Sequence, residues 1–119
     1  MRVYTYKNCG TCRKAVKWLR NNGIDFTEIP IRETPPSLGE LKTMLTACEG
    51  NLRRLFNTSG QDYRALNFKE KLPEITESEA LQLLSQNGNL IKRPFLLDDA
   101  RSVALIGFQE DEWSAAIKS

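Results

Sequence analysis

Two cysteines two residues apart, set where a strand-like run gives way to helical spacing, constrain this chain more than any other feature. Arg2-Val3-Tyr4-Thr5-Tyr6 is short and rich in Val and Tyr, so it predicts a strand. Lys7-Asn8-Cys9-Gly10-Thr11-Cys12 follows, and from there Cys12, Ala15, Val16 and Leu19 recur at helical spacing. The first N–H groups of a helix have no partner inside it, and the macrodipole is positive there. A thiolate at that place is stabilised: helix N-termini and nearby cations take a cysteine pKa from about 8.5 down to about 3.5–7.5. Lys7, Arg13 and Lys14 add positive charge close by in sequence. Cys9 precedes the apolar face and is expected to be exposed, whereas Cys12 falls on it. The spacing is that of thiol–disulfide enzymes.

Two other readings of the pair stand beside that one. A zinc site usually takes four ligands, often as two close pairs. The chain has no histidine and one further cysteine, Cys48, so such a site would need carboxylates. Alternatively, the two cysteines merely pack.

The chain has 119 residues, the size of one domain, which is enough for a core without disulfide staples. Its net charge of +2 does not by itself imply a nucleic-acid partner. No segment approaches the roughly 18 apolar residues of a membrane span. Three cysteines, two of them in one motif, fit a reducing compartment better than a secreted disulfide framework, so a cytoplasmic location is expected.

The first helix is expected from about Gly10 to Asn22, with Gly23 as its stop. A second strand is expected over Asp25 to Ile29, and the short return makes a right-handed βαβ unit with parallel neighbours. After Thr34-Pro35-Pro36, Ser37 and Glu40 form a capping box. The helix it opens places Leu38, Leu41, Leu45 and Cys48 on one apolar face, so Cys48 reads as a buried apolar residue. Asn51 to Phe56 gives a further helical turn or two, and Gln61 to Phe68 one short helix. Thr76 and Glu79 form a second capping box, with Ala80, Leu81 and Leu84 inward. Phe95-Leu96-Leu97 and Val103-Ala104-Leu105-Ile106 are closely joined, with Asp98-Asp99-Ala100-Arg101 as the turn, which predicts an antiparallel hairpin. A last helix is expected from Glu110 to Lys118. The order β-α-β, a helical insertion, then β-β-α is the thioredoxin-like α/β plan with a four-stranded mixed sheet. In that plan a proline at the start of the third strand faces the redox cysteine after a cis peptide bond. Pro94 is the candidate, since an X–Pro bond has lost most of its trans preference.

Several separate stretches then match one pattern. Tyr4 to Ala15 with its two cysteines, Tyr63-Arg64-Ala65-Leu66, Ile91-Lys92-Arg93-Pro94-Phe95-Leu96 and Ile106-Gly107-Phe108 together resemble the arsenate reductase (ArsC)/Spx family of thioredoxin-fold proteins. The resemblance implies that Cys9 attacks an arsenic oxyanion or a disulfide and that Cys12 resolves the adduct or closes a switch. It implies that Arg64 and Arg93 bind an anion, either an oxyanion or a carboxylate of glutathione. A third anion-binding arginine of such reductases falls where this chain has Gly107-Phe108, and Arg101 lies in the preceding turn. Glutathione, glutaredoxin or thioredoxin is implied as electron donor or partner, with no metal or prosthetic group, no direct nucleic-acid contact and no membrane. The Spx branch implies a different function: a two-cysteine switch on a regulator that binds RNA polymerase through the C-terminal domain of its α chain.

Overall fold

The computed structural model describes residues 1–118. Strand β1 (Arg2–Thr5) runs at the centre of a four-stranded sheet, beside β2 (Thr27–Pro30) on one side and β3 (Phe95–Asp98) on the other, with β4 (Val103–Ile106) at the far edge. β1 and β2 are parallel, and β3 is antiparallel to both β1 and β4. The chain is therefore an α/β, thioredoxin-like fold with a mixed sheet. β2 begins two residues later than its composition suggests, because pairing with β1 sets its start at Arg2 opposite Thr27. Its last residue, Pro30, lacks an N–H, which an edge strand tolerates.

The period of two along β1 distributes its side chains to two cores. Val3 joins Ala15, Leu19, Leu96, Leu105, Trp113 and Ile117, so that face is covered by α1 (Gly10–Asn21) and by α6 (Glu110–Lys118). Tyr4 points the other way, into a larger core with Phe95, Leu97 and Ile106. There the sheet is covered by the insertion: α2 (Leu38–Ala47), a 3₁₀ turn at Leu52–Leu55, α3 (Gln61–Ala65), α4 (Phe68–Lys71) and α5 (Glu77–Gln86). All four residues of β3 are buried, as expected of a strand with both faces covered. Among the described residues no helix is long and apolar enough to cross a membrane.

Both capping boxes close as expected. Ser37 Oγ accepts from Glu40 N at 3.2 Å and Thr76 Oγ1 accepts from Glu79 N at 3.1 Å, and each glutamate accepts from the cap N–H in return. Cys48 lies at the C-terminal end of α2 and is 3% exposed. Leu38, expected on the inward face of α2, is the first residue of the helix and is exposed at 40%. The single helix expected over Gln61 to Phe68 is split into α3 and α4 by Asn67, whose φ of 56° is a left-handed conformation that asparagine tolerates.

Candidate active site

The first turn of α1 holds the two thiols in different surroundings. Cys9 is the N-cap, with extended backbone, and its Sγ accepts from Cys12 N at 3.3 Å. Its own N–H donates to Tyr6 O at 3.0 Å, which fixes the turn between β1 and the helix. Cys9 is half-buried and opens onto a cavity of about 520 Å³, whereas Cys12 is 2% exposed within the packed face of α1. Burial pushes the Cys9 thiol up, but hydrogen bonds from the Cys12 thiol and N–H and the Arg93 guanidinium outweigh it. The net result is a Cys9 thiol more acidic than usual. Burial pushes Cys12 up to about 12, and its hydrogen bond to Cys9 adds to this.

The cation that acts on Cys9 arrives from a distant part of the chain. Arg93 lines the cavity from the loop before β3, and the Arg93–Pro94 peptide bond is cis. Pro94 is buried, and its carbonyl accepts from Gly107 N at 2.8 Å, so the end of β4 is tied to the start of β3 beside the site. Trp113 Nε1 holds the same segment from below by donating to Gly107 O at 2.9 Å. The basic residues adjacent in sequence serve elsewhere: Lys7, Arg13 and Lys14 do not line the cavity. Arg13 Nη1 instead donates to Lys7 O at 2.9 Å, and both residues border a shallow hollow over Cys12 and Val16.

Arg64, expected to bind an anion, is exposed on α3 and is not among the residues that line the cavity. Two cations given no role in the sequence reading are there instead, Arg54 and Lys92, the latter beside Arg93 in its motif, with Glu112 as the one carboxylate among the described residues. Backbone pairing brings them together. Lys92 N donates to Leu55 O at 2.9 Å, Asn57 N donates to Leu90 O at 2.7 Å, and Phe56 bridges Ile91, so the 3₁₀ turn carrying Arg54 is sewn to the segment carrying Lys92 and Arg93. The Lys92 side chain lies over Gly107: a β-carbon added at that glycine would meet Lys92 Cε at 2.9 Å. A lysine thus occupies the space beside the stretch that matches the third arginine of the reductases. Arg101 cannot serve there. It bonds Asp98 at the tip of the β3–β4 hairpin, the end opposite Pro94 and Gly107. Cys48 is far less suited to thiol chemistry, since burial raises its pKa. Nothing in the local sequence signals Arg54, because it is brought beside Lys92 and Arg93 only through pairing across some forty residues.

Three comparisons bear on this arrangement. A sequence model of the ArsC family matches residues 4–116. The Bacillus subtilis protein YusI is 48% identical over 110 residues, covering 92% of each chain. The global transcriptional regulator Spx of Enterococcus faecalis is 34% identical over 92% of this chain and 80% of its own. Among solved structures, an ArsC family related protein from Bacteroides fragilis superposes with a TM-score of 0.89 at 37% identity, covering 97% of this chain and 95% of that one.

Proposed function

The chain belongs to the ArsC family, and from that premise we propose that it is a thiol-dependent oxidoreductase with Cys9 as nucleophile and Cys12 as resolving thiol. The observation that carries this reading is the contrast between the two thiols. Cys9 is acidified, half-buried and open to a cationic cavity, while Cys12 is buried with a pKa near 12. In the first step the Cys9 thiolate attacks one sulfur of a disulfide. The new S–S bond forms as the old one breaks, and the leaving half departs as a thiolate. Cys12, still carrying its proton, must lose it before it attacks Cys9 Sγ and releases the second half. That second step leaves a Cys9–Cys12 disulfide, which a thiol donor such as glutathione, or a dithiol protein such as glutaredoxin or thioredoxin, reduces again. Arg93, with Arg54 and Lys92, binds the negative charge of the substrate, whether a carboxylate or an oxyanion. The test is turnover of a disulfide substrate with glutathione, glutaredoxin and thioredoxin supplied in turn. Cys9→Ser is expected to abolish turnover, and turnover that survives this substitution would overturn the reading.

A second reading is favoured by the Spx relatives and by the presence of both cysteines. In it, the same Cys9–Cys12 pair is a redox switch on a regulator that binds the α chain of RNA polymerase. Copurification with that polymerase chain in one redox state only would support it. Turnover without any such complex supports the enzyme.

A further inference from the structure

Arg93 helps to acidify Cys9, yet its own side chain is held by little. The ion pairs among the described residues join Arg2 to Glu40 and Asp99, Arg20 to Glu28, and Arg101 to Asp98, and Arg93 takes part in none of them. Its hydrogen bond to the backbone is long: Nη1 donates to Asn89 O at 3.4 Å. An unrestrained arginine spreads over many rotamers, so a guanidinium kept beside one thiol needs a further hold.

The half-buried Tyr6 stands where that hold is needed. The guanidinium carbon of Arg93 lies 5.0 Å from the centroid of the Tyr6 ring, within cation–π range. Arg93 lines both the Cys9 cavity and a smaller hollow of about 220 Å³, and of these two Tyr6 lines only the smaller. The ring is therefore behind the guanidinium and the thiol in front of it. The ring is fixed in turn at its far end, where Oη accepts from Arg32 Nη1 at 2.8 Å and from Asn8 Nδ2 at 3.1 Å. The backbone of the same residue holds the other member of the pair, since Tyr6 O accepts from Cys9 N at 3.0 Å.

We propose that Tyr6 is a positioning residue: its carbonyl sets the Cys9 turn, and its ring holds the Arg93 guanidinium toward that thiol. The inference rests on the Cys9 reading above and adds the residue that orients its cation. Tyr6 acts only through Arg93, because its ring does not line the Cys9 cavity. A side-chain substitution leaves the carbonyl in place, so it tests the ring alone. Other charges face Cys9 across the same cavity: Arg54 from the 3₁₀ turn, Lys92 beside Arg93 and Glu112 from α6, with the Cys12 thiol on its own helix. A change in Cys9 titration thus belongs to Arg93 only if it vanishes when Arg93 is absent.

The test is the pH profile of Cys9 alkylation by iodoacetamide in the full chain, read by peptide mass spectrometry. Slow labelling of the buried Cys48 in the same samples checks that each variant is folded. In Tyr6→Leu and Tyr6→Gln the midpoint of the profile is expected to rise, and the rate at pH 7 to fall about three- to tenfold. The alkaline plateau is expected to stay level or rise, because a less acidic thiol gives a more nucleophilic thiolate. Tyr6→Phe keeps the ring and recovers most of the rate at pH 7. In an Arg93→Met background the same substitutions change the rate by less than about twofold, as two residues acting through one contact should. Ringless variants whose profiles stay within about twofold of the parent overturn the inference and leave Cys9 as nucleophile. So does a loss equal at every pH, a loss as large without Arg93 as with it, or a Tyr6→Phe variant as slow as Tyr6→Leu. A parent Cys9 that titrates like a free cysteine overturns the acidified-thiol reading and this inference with it.

Discussion

Cys9 and Cys12 differ by position on one helix turn, and that difference makes measurable demands. Cys9 is expected to be the first thiol alkylated by limiting iodoacetamide at neutral pH, well ahead of the buried Cys48. Replacing Arg93 with Met removes the cation that favours the thiolate, so the Cys9 pKa rises and alkylation at neutral pH slows several-fold. Faster labelling of Cys48 than Cys9 would contradict the assignment. The raised groups have the opposite consequence for stability. Cys12 and Tyr4 are both held protonated, each with a pKa of about 12, chiefly by burial. A group whose pKa is raised by folding stabilises the fold below its unfolded pKa and loses that contribution as pH climbs toward the folded value. The thermal midpoint is therefore expected to fall from about pH 8.5 upward as Cys12 is titrated in the unfolded chain, and more steeply above about pH 10, where Tyr4 joins it. Cys12→Ala should flatten the first part of that decline and Tyr4→Phe the second.

At the scale of the elements, the site depends on how closely the insertion is pressed against the strands. Gly88 shows the closest approach: a β-carbon there would lie 1.9 Å from Ile31 O, a backbone atom that cannot rotate away. Gly88→Ala is expected to cost about 1–3 kcal/mol or more, read as a shifted urea midpoint. Gly39, in the first turn of α2, has nothing nearer than Ser37 Oγ at 3.9 Å. Gly39→Ala should therefore be neutral or stabilising by up to about 1 kcal/mol, the ordinary helix propensity difference. Equal losses in the two variants would show that crowding at Gly88 is not what matters. Glu40 shows a different economy within one element. It closes the capping box of α2 and also accepts from Tyr4 Oη at 2.8 Å and Arg2 Nε at 3.0 Å, so one carboxylate fixes the helix start to the central strand.

For the whole molecule, the distribution of charge around the Cys9 cavity bears on which oxyanions it handles. Arsenate reduction brings a thiolate to an anion and develops further charge, so preorganised cations are the chief requirement. The stretch Ile106-Gly107-Phe108-Gln109 carries none, and Arg101 is committed to Asp98 at the other end of the hairpin. Lys92 lies over Gly107, but an ammonium is a point charge and lacks the two-pronged donor of arginine. A coupled arsenate assay is expected to give kcat/KM about 10²–10³ below that of an arsenate-reducing enzyme carrying all three arginines, the usual cost of one missing oxyanion donor. Comparable values would show that Lys92 and Arg54 fully replace it.

The sequence by itself determined the order of the strands and main helices and the polarity of the two thiols, because each of these is written within a few residues; the split of Gln61 to Phe68 into two helices at Asn67 was not read. Helical and strand periods, the two S/T-x-x-E caps, the hairpin turn and the placement of Cys12 on the apolar face of α1 are local, and local rules read them. Pro94 was legible too, from the order of the elements, and Arg93 through family resemblance rather than period. The cations that join Arg93 at the cavity were decided by tertiary structure. Lys7, Arg13 and Lys14 are neighbours of Cys9 in sequence yet lie outside its cavity, while Arg54 and Lys92 are distant in sequence yet line it. The reason is that helical geometry sends side chains at successive positions to different faces. The proximity of Arg54 to Lys92 instead comes from the backbone bonds between Leu55 and Lys92 and between Asn57 and Leu90, which no window of contiguous residues contains.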